Sequence, residues 1–312
     1  MKLKQLTALL AVQETGSLLA AAEQLNVTQP GVSRAIIELE NELGVALLVR
    51  SARGATLTDF GLAVLARARL IDREVRRIVE DAEATRGVFN GSLTIAITPP
   101  AATADFAETI TAFSDAHPAV QLRVLELRPH LMASGLRDGT LDVALFAQYN
   151  EPERSPHFDV TPLYTLGITL AVSSRYRGPS EVGIRELREM SWLVLDPVID
   201  THSLVSTLFG QHGLAPPARI IQCSSLAMYI ELAGRLDVVS AWTDAGMNAL
   251  CKREEEGAMK RLRVAGPMPT ATMCIAYPAI DMMTATTREF VVWFQSTLRK
   301  SGSGVRSSVR ST

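Results

Sequence analysis

The sequence predicts an α/β protein with three parts in chain order: a small helical domain, one long helix, and a larger region of alternating strands and helices. Short amphipathic segments, broken at Gly16 and Gly44, fill the N-terminus. An unbroken helical pattern covers about residues 58–86, and short apolar strands alternate with helices from Ser92 onward. The chain of 312 residues is long enough for two or three domains.

Three short helices are predicted at the N-terminus. The first covers about residues 3–13. The second starts after an N-cap at Ser17, and the third starts after an N-cap at Thr28 and stops at Gly44. The third helix has an apolar face that we expect to be buried, formed by Val32, Ile36, Leu39 and Leu43.

Two short apolar strands, residues 47–50 and 55–57, follow this third helix and are joined by a turn at 51–54. Two helices joined by a short turn and followed by a two-stranded wing form a winged helix-turn-helix. Gln side chains can bond adenine, Arg side chains can bond guanine, and a helix N-terminus can instead hold a phosphate. The predicted DNA-binding residues are Thr28, Gln29, Pro30, Ser33 and Arg34 on the helix, with Arg50 and Arg53 on the wing for phosphates or the minor groove.

The charge balance alone gives no evidence for nucleic acid. The chain has a formal net charge of −2, and its first 58 residues carry five basic and five acidic side chains. Glu38, Glu40 and Glu42 fall in the far half of the third helix, away from its first turn. The prediction of DNA binding therefore depends on where the charges lie.

The long helical pattern carries a heptad seam of apolar residues, which is typical of a helix that pairs with another helix. A surface helix of a single domain is the alternative. The residues predicted to mediate dimerisation are Val64, Ala68, Ile71, Val75, Ile78 and Ala82.

A dense pattern over about 60 N-terminal residues resembles the LysR-type transcriptional regulators. The residues that carry it are Ser17-Leu18, Ala21-Ala22, Leu25, Thr28-Gln29-Pro30-Gly31-Val32-Ser33-Arg34, Leu39-Glu40, Leu43-Gly44, Leu47-Leu48, Arg53-Gly54, Leu57-Thr58 and Gly61. Gly31 stands where alanine is usual, and Leu48 where phenylalanine is common. Two stretches, Leu47-Leu48-Val49-Arg50 and Leu57-Thr58-Asp59-Phe60-Gly61, are also similar to regulators of aromatic-sulfonate degradation.

This resemblance implies an N-terminal winged helix-turn-helix (1–58), a linker and dimerisation helix (59–90), and a C-terminal two-lobed type-2 periplasmic-binding-like effector domain (91–300). Its first lobe would be 92–161 plus 269–300 and its second 162–268, followed by a disordered tail, 301–312. The family implies a dimer of dimers on an interrupted inverted repeat of double-stranded DNA near a promoter, with RNA polymerase as a partner. A small effector in the cleft between the lobes would switch transcription.

Residues 136–145 resemble a helix–turn–strand segment of such effector domains, and the continuous apolar strands predict a parallel sheet covered on both faces. Ligands in open α/β sheets lie at the carboxyl ends of strands. Arg128 is the candidate partner for an anionic, possibly aromatic, effector, although an exposed or lobe-bridging arginine is the alternative. Trp242 could instead be a core residue, and Thr98 and Thr201 could be helix caps. The candidate effector-binding residues are Thr98, Pro99, Pro100, Ala101, Arg128, Pro129, Phe146, Gln148, Asp200, Thr201, Ser224, Ser225 and Trp242.

Other classes of protein find little support in the sequence. The three cysteines form no CxxC pair, the histidines have no metal-ligand spacing, and no catalytic or phosphate-binding motif occurs, so we expect no enzyme, metal or cofactor. Some relatives sense oxidants through paired cysteines, but Cys223 and Cys251 are more simply interpreted as inert thiols. No secretory signal or membrane span is evident, which favours a cytoplasmic protein.

Two alternatives to an effector-responsive regulator stay open. The first is a solute-binding protein or enzyme that uses the cleft. The second is a constitutive repressor whose cleft is empty.

Overall fold

The computed structural model describes residues 1–51, 54–149, 155–195, 203–253, 259–279 and 282–300. The helices are α1 (Leu3–Thr15), α2 (Leu18–Gln24), α3 (Gln29–Leu43), α4 (Asp59–Ala84), α5 (Ala104–Ala116), α6 (Pro129–Asp138), α7 (Ile184–Glu189), α8 (Leu204–Gly210), α9 (Leu226–Arg235), α10 (Asp244–Arg253) and α11 (Ala285–Lys300). The strands are β1 (Leu48–Ser51), β2 (Gly54–Leu57), β3 (Gly91–Ile97), β4 (Val120–Glu126), β5 (Val143–Gln148), β6 (Phe158–Leu166), β7 (Ile168–Ser173), β8 (Glu181–Gly183), β9 (Trp192–Val194), β10 (Ile220–Gln222), β11 (Ser240–Thr243), β12 (Met259–Ala265) and β13 (Ala271–Pro278).

The three N-terminal helices form as the sequence predicts, because their ends carry the expected caps. The Ser17 hydroxyl accepts the N–H of Ala20 at 3.0 Å, and Gly16 and Gly44 adopt the left-handed conformation with φ of 73° and 69°. The apolar faces of α1, α2 and α3 meet in one core. Leu43 departs from the prediction, since it lies on the last turn of α3 and is exposed.

The predicted wing is an antiparallel hairpin of β1 and β2, with Leu48 opposite Leu57. A carboxylate from the recognition helix holds its start. The Glu40 Oε1 atom accepts the backbone N–H groups of Leu47 at 2.7 Å and Leu48 at 3.1 Å. One acid of the far half of α3 therefore fixes the wing relative to the helix.

Helix α4 has 26 residues, which corresponds to a length of about 39 Å. Its start is capped by the Thr58 hydroxyl, which accepts the N–H of Gly61 at 2.9 Å. Leu65 is buried in the N-terminal core, whereas later turns of α4 pack against α6 and α11. The helix thus joins the DNA-binding end of the molecule to the C-terminal region.

The first lobe is built on a five-stranded sheet with the order β4-β3-β5-β13-β6. The predicted parallel arrangement holds for β4, β3 and β5, but β13 runs antiparallel to both of its neighbours. The sheet is therefore mixed, because the chain returns from the second lobe to complete the first. Helices α5 and α11 cover one face, and α6 covers the other.

The second lobe contains a four-stranded sheet, β11-β7-β12-β8, and a parallel pair, β9 and β10. The chain first crosses between the lobes at Gly167, since β6 belongs to the first sheet and β7 to the second. The boundary predicted near Pro162 is therefore wrong by about one strand, because Pro162 lies inside β6. A Cβ atom at Gly167 would lie 1.9 Å from the Asp244 carboxylate, so the crossing passes too close to α10 for any other residue. The return crossing lies between β12 and β13, as predicted.

No helix among the described residues combines the length and the apolar character that a membrane crossing requires.

Candidate DNA-binding and effector sites

The first turn of α3 presents polar side chains to solvent. The Thr28 hydroxyl accepts the N–H of Gly31 at 3.3 Å and so caps the helix. Gln29, Pro30 and Arg34 are exposed, and Ser33 is partly buried. The five helix residues predicted to contact DNA therefore lie together at one end of α3, within reach of a major groove.

The acids of the far half of α3 are occupied inside the domain. The buried Gln5 amide donates to the carboxylates of Glu38 at 3.4 Å and Glu42 at 3.3 Å. These charges are therefore directed towards α1 instead of the first turn of α3.

The wing arginines are only partly placed. Arg50 belongs to β1, but its side chain lies outside the described residues, as does all of Arg53.

The heptad seam of α4 divides into two parts. Ala68 is 1 % exposed within the N-terminal core, and Val64 packs against the same core. Their predicted role in dimerisation is therefore corrected to a role in folding the chain's own N-terminal domain. The part of the seam that is exposed consists of Ile71, Val75, Ile78 and Ala82, of which Ile78 is 70 % exposed.

A cleft of about 120 Å³ separates the two lobes. The first lobe lines it with 98–100, Pro129, Ala147, Tyr149 and Leu166, and the second lobe with Ile168, 192–195, 203–205, Tyr229 and 241–243. Five of the predicted effector-binding residues are among them: Thr98, Pro99, Pro100, Pro129 and Trp242. The carboxyl ends of β3 and β5 therefore do face a cleft, as the predicted topology requires.

The other predicted residues lie elsewhere. Asp200 and Thr201 are outside the described residues, whereas Ala101, Arg128, Phe146, Gln148, Ser224 and Ser225 are described but do not line the cleft. Phe146 packs instead on the α6 side of the sheet, because strand alternation directs Ala147 and Tyr149 into the cleft. Ser225 caps α9 by accepting the N–H of Met228.

The polar groups of the cleft wall mostly bond within the protein. The Tyr229 hydroxyl lies 3.2 Å from the carbonyl oxygens of Leu193 and Ala241 and accepts the N–H of Ala241 at 2.9 Å. The indole of Trp192 donates to the Leu187 carbonyl at 3.0 Å, and that of Trp242 donates to the Ser240 hydroxyl at 2.8 Å. The rings therefore present their apolar faces to the cleft while their polar atoms are satisfied behind it.

A second feature lies where α4 meets the first lobe, and we call it the linker joint: Arg69, Arg73, Arg76 and Glu80 of α4 with Asp138, Asp142 and Gly91 of the lobe. Arg73 is 3 % exposed, and its Nε and Nη1 atoms have no hydrogen-bond partner among the described residues. Burial lowers the pKa of Arg73, and the charge of Asp142 partly opposes this shift. The joint thus holds a cation that is almost completely desolvated.

Two carboxyl groups share this environment. Burial raises the pKa of Glu80, whose Oε2 atom has no partner in the described part of the chain. Burial also raises the pKa of Asp142, although its Oδ2 atom accepts the Thr94 N–H at 2.8 Å. At the edge of the joint, Arg69 lies 3.8 Å from Asp138. The joint is therefore ionic and poorly solvated.

The described thiols show no redox pair. Cys274 is buried in the first lobe, and burial raises its pKa to about 11. Cys223 lies in the second lobe and donates to the Ser225 carbonyl, and the side chain of Cys251 is outside the described residues. Across the described ranges, no group of three or more potential metal ligands is found.

Comparison with known proteins identifies both ends of the chain. Residues 3–62 match the family model described as "Bacterial regulatory helix-turn-helix protein, lysR family", and residues 86–299 match the model "LysR substrate binding domain". The chain belongs to the LysR family of transcriptional regulators. This family assignment agrees with the resemblance carried by the N-terminal motif.

Individual LysR-family relatives are moderately similar. The transcriptional regulator CfxR of Cupriavidus necator is 31 % identical over 226 residues, which cover 72 % of this chain and 69 % of CfxR. A probable hydrogen peroxide-inducible genes activator of Streptomyces viridosporus is 30 % identical over 239 residues, 76 % of each chain. Neither is named for aromatic sulfonates, so the narrower likeness to aromatic-sulfonate regulators gains no support from them.

Solved structures share the whole architecture. A full-length OxyR variant from Pseudomonas aeruginosa superposes with a TM-score of 0.74 at 20 % identity, covering 100 % of this chain and 99 % of its own. Full-length CbnR in complex with its target DNA superposes with a TM-score of 0.61 at 22 % identity, covering 95 % of this chain and 100 % of its own. At these identities the likeness establishes the fold of the LysR family.

Proposed function

We propose that this LysR-family regulator binds an interrupted inverted repeat through the first turn of α3, as a dimer of dimers, and that a small molecule in the cleft between the lobes alters its contacts with DNA. The observation that carries the proposal is the joint presence of an exposed polar first turn on α3 and a formed cleft in the same chain. RNA polymerase at the adjacent promoter is the proposed downstream partner, and no cofactor other than the effector is proposed.

Support for DNA binding comes from the position of Gln29 and Arg34. Both are exposed on the first two turns of α3, while Val32 and Ile36 on the opposite face anchor the helix in the core. Gln and Arg are the side chains that form bidentate contacts with adenine and guanine in the major groove. The CbnR complex shows that a protein of this fold binds its target DNA.

Support for a dimer comes from the exposed part of the seam on α4. Ile71, Val75 and Ile78 lie on successive turns, and such a row of exposed apolar side chains is usually covered by another helix. An antiparallel pair of α4 helices would place two α3 helices on one face. Half-sites about 34 Å apart would then match two successive major grooves.

Support for a small effector comes from the cleft itself, but the expectation of an anion does not gain from its lining. Arg128, the residue on which that expectation rested, is only partly buried and does not line the cleft. Sensing of peroxide by the described thiols gains no support either, since Cys274 is buried with a raised pKa and a thiolate is the reactive form.

The test is a footprint on the DNA upstream of the gene at fixed salt, with Arg34→Ala beside the wild-type protein. Loss of one base contact is expected to weaken specific binding by about 1–3 kcal/mol, or roughly 5- to 150-fold. The control is Arg235→Ala, which removes an equal charge from an exposed pair with Glu231 in the second lobe. If Arg34→Ala leaves operator affinity unchanged, α3 is not the helix that contacts the bases. If the wild-type protein protects no DNA and shows turnover of a small molecule, the alternative of an enzyme replaces the regulator.

A further inference from the structure

The chemistry of the cleft wall restricts the class of effector that it can accept. Among the described residues that line the cleft there is no Lys, Arg, His, Asp or Glu. A carboxylate or sulfonate placed there would lose its hydration and find no opposite charge in this wall, which is strongly unfavourable. The described lining therefore disfavours an anion.

The same wall is suited to a flat apolar molecule. Trp192 and Trp242 contribute aromatic rings, and the fully buried Tyr229 fixes the second-lobe wall by bonding to Leu193 and Ala241. The indole N–H groups already have protein acceptors, so they need nothing from a ligand. Ring faces of this kind pack against other rings and hydrocarbon surfaces.

The volume of the cleft gives the size of the ligand. It encloses about 120 Å³. An engineered apolar cavity of about 150 Å³ accepts benzene, so the cleft can hold about one six-membered ring with a small substituent.

One polar group in the first-lobe wall can orient such a ligand. The Thr98 hydroxyl accepts the N–H of Ala147 at 3.4 Å, and its own proton can be donated to a carbonyl or hydroxyl oxygen. Thr98 stands at the end of β3, where the chain turns into Pro99 and Pro100. A neutral substituent on the ring would be bound here at little cost in solvation.

We infer that the effector of this cleft is an uncharged molecule about the size of one substituted aromatic ring, packed between Trp192 and Trp242 and hydrogen-bonded to Thr98. The inference rests on the proposed function only in placing the effector between the lobes. It changes the expected chemical class from an organic anion to a neutral compound.

The test compares benzamide with benzoate, which have nearly the same shape and differ in charge. Two of the three tryptophans line the cleft, so intrinsic fluorescence of the full-length protein reports occupancy directly, and thermal unfolding gives a second measure. Benzamide is expected to bind about tenfold or more tightly than benzoate, with a shift in fluorescence and a rise in Tm. Tighter binding of benzoate, or no binding of benzamide or benzyl alcohol at millimolar concentration, would overturn the inference.

Three variants locate the site. Ala147→Leu fills the cleft and is expected to abolish binding. Thr98→Val keeps the shape of the side chain and is expected to remove the advantage of benzamide over toluene without abolishing ring binding, which keeps the test valid if Ala147→Leu does not fold. Arg128→Gln is the matched control for an anion site and is expected to leave benzamide affinity unchanged. Binding that survives Ala147→Leu in a folded protein would place the compound elsewhere and contradict the inference.

Failure of this inference and failure of the proposed function are distinguishable. The footprint of the ligand-free protein tests the regulator, whereas the fluorescence titration contains no DNA. A protected operator with preference for benzoate would overturn only the ligand class. Binding of benzamide with no protected DNA would overturn only the role as regulator.

Discussion

The cleft and the linker joint lie at opposite ends of the same elements of the first lobe, and their chemistry is opposite. Helix α6 begins at Pro129 in the cleft and ends at Asp138 beside α4. Strand β5 starts after Asp142 at the joint and leads to Tyr149 in the cleft. The described cleft wall is apolar and uncharged, whereas the joint concentrates partly desolvated charges.

This difference suggests how a small apolar ligand could have a large effect. Packing of a neutral ring changes little when its position shifts slightly, but charges in a medium of low dielectric interact strongly and depend steeply on distance. A displacement of α6 or β5 by a ligand would therefore be felt mainly at Arg73, which connects the lobe to α4. The cleft would supply the movement and the joint the sensitivity.

The largest effect on stability is expected at the cleft wall, with Trp192→Ala. Trp192 is fully buried, and its ring packs edge-on against Phe209 with centroids 5.6 Å apart. Loss of this ring and of its bond to the Leu187 carbonyl is expected to lower the free energy of unfolding by about 4 kcal/mol, measured by chemical denaturation. Val292→Ala, an exposed position on α11, should change it by less than about 0.5 kcal/mol. A loss at Trp192 no larger than that control would mean that the wall is not a packed core.

The second effect is expected at the joint, with Arg73→Ala. Removal of the buried cation leaves Asp142 without its main opposing charge, which is expected to cost about 3 kcal/mol in unfolding experiments. Arg76→Ala is the control, because Arg76 pairs with Asp72 on an exposed face of the same helix and should contribute less than about 1 kcal/mol. Arg73→Met combined with Asp142→Asn should recover most of the loss. If the double variant is no better than Arg73→Ala, the two groups are not coupled.

The third effect concerns the close approach of α4 and β3 at Gly91. Gly91 has φ of 89°, and an added Cβ atom would lie 2.7 Å from the Glu80 Oε1 atom. Gly91→Ala is therefore expected to destabilise the protein by about 1–2 kcal/mol through backbone strain and displacement of Glu80. Gly210→Ala, where an added Cβ atom contacts nothing, should be neutral or slightly stabilising. Equal effects at the two glycines would show that β3 does not constrain the joint.

The sequence predicted the elements whose ends carry local signals. The caps at Ser17 and Thr28, the exposed first turn of α3 and the long helix α4 all follow from nearby residues. The family follows from the same N-terminal motif. Local chemistry therefore predicted the DNA-binding end almost completely.

The sequence predicted the cleft only in part, for reasons of packing. Strand β5 is central in its sheet and largely apolar on both faces, so alternation gave no signal that Ala147 and not Phe146 faces the cleft. The burial of Arg73 could not be predicted because arginines along α4 look alike until α6 packs against one of them. Both features depend on which elements meet, and no local pattern specifies that.

The smallest effect distinguishes the joint from the cleft by its dependence on pH. Burial raises the pKa of Glu80 above its ordinary value of 4.5, while hydrogen bonding with Thr284 and the charge of Arg76 only partly oppose the shift. The folded protein then binds a proton more readily than the unfolded chain, so this group lowers stability as pH rises from 4.5 through its raised pKa. Glu80→Gln removes that penalty, and the variant is expected to be more stable than the wild type at neutral pH, with the difference shrinking as pH falls towards 4.5. Asp142 shifts in the same direction, so Glu80→Gln removes only part of the slope. Thermal unfolding across this pH range measures the difference, and Glu108→Gln, an exposed position on α5, should show none. A gain that is independent of pH would mean that Glu80 is uncharged at the joint throughout, and the contrast between an ionic joint and an apolar cleft would then rest on Arg73 and Asp142 alone.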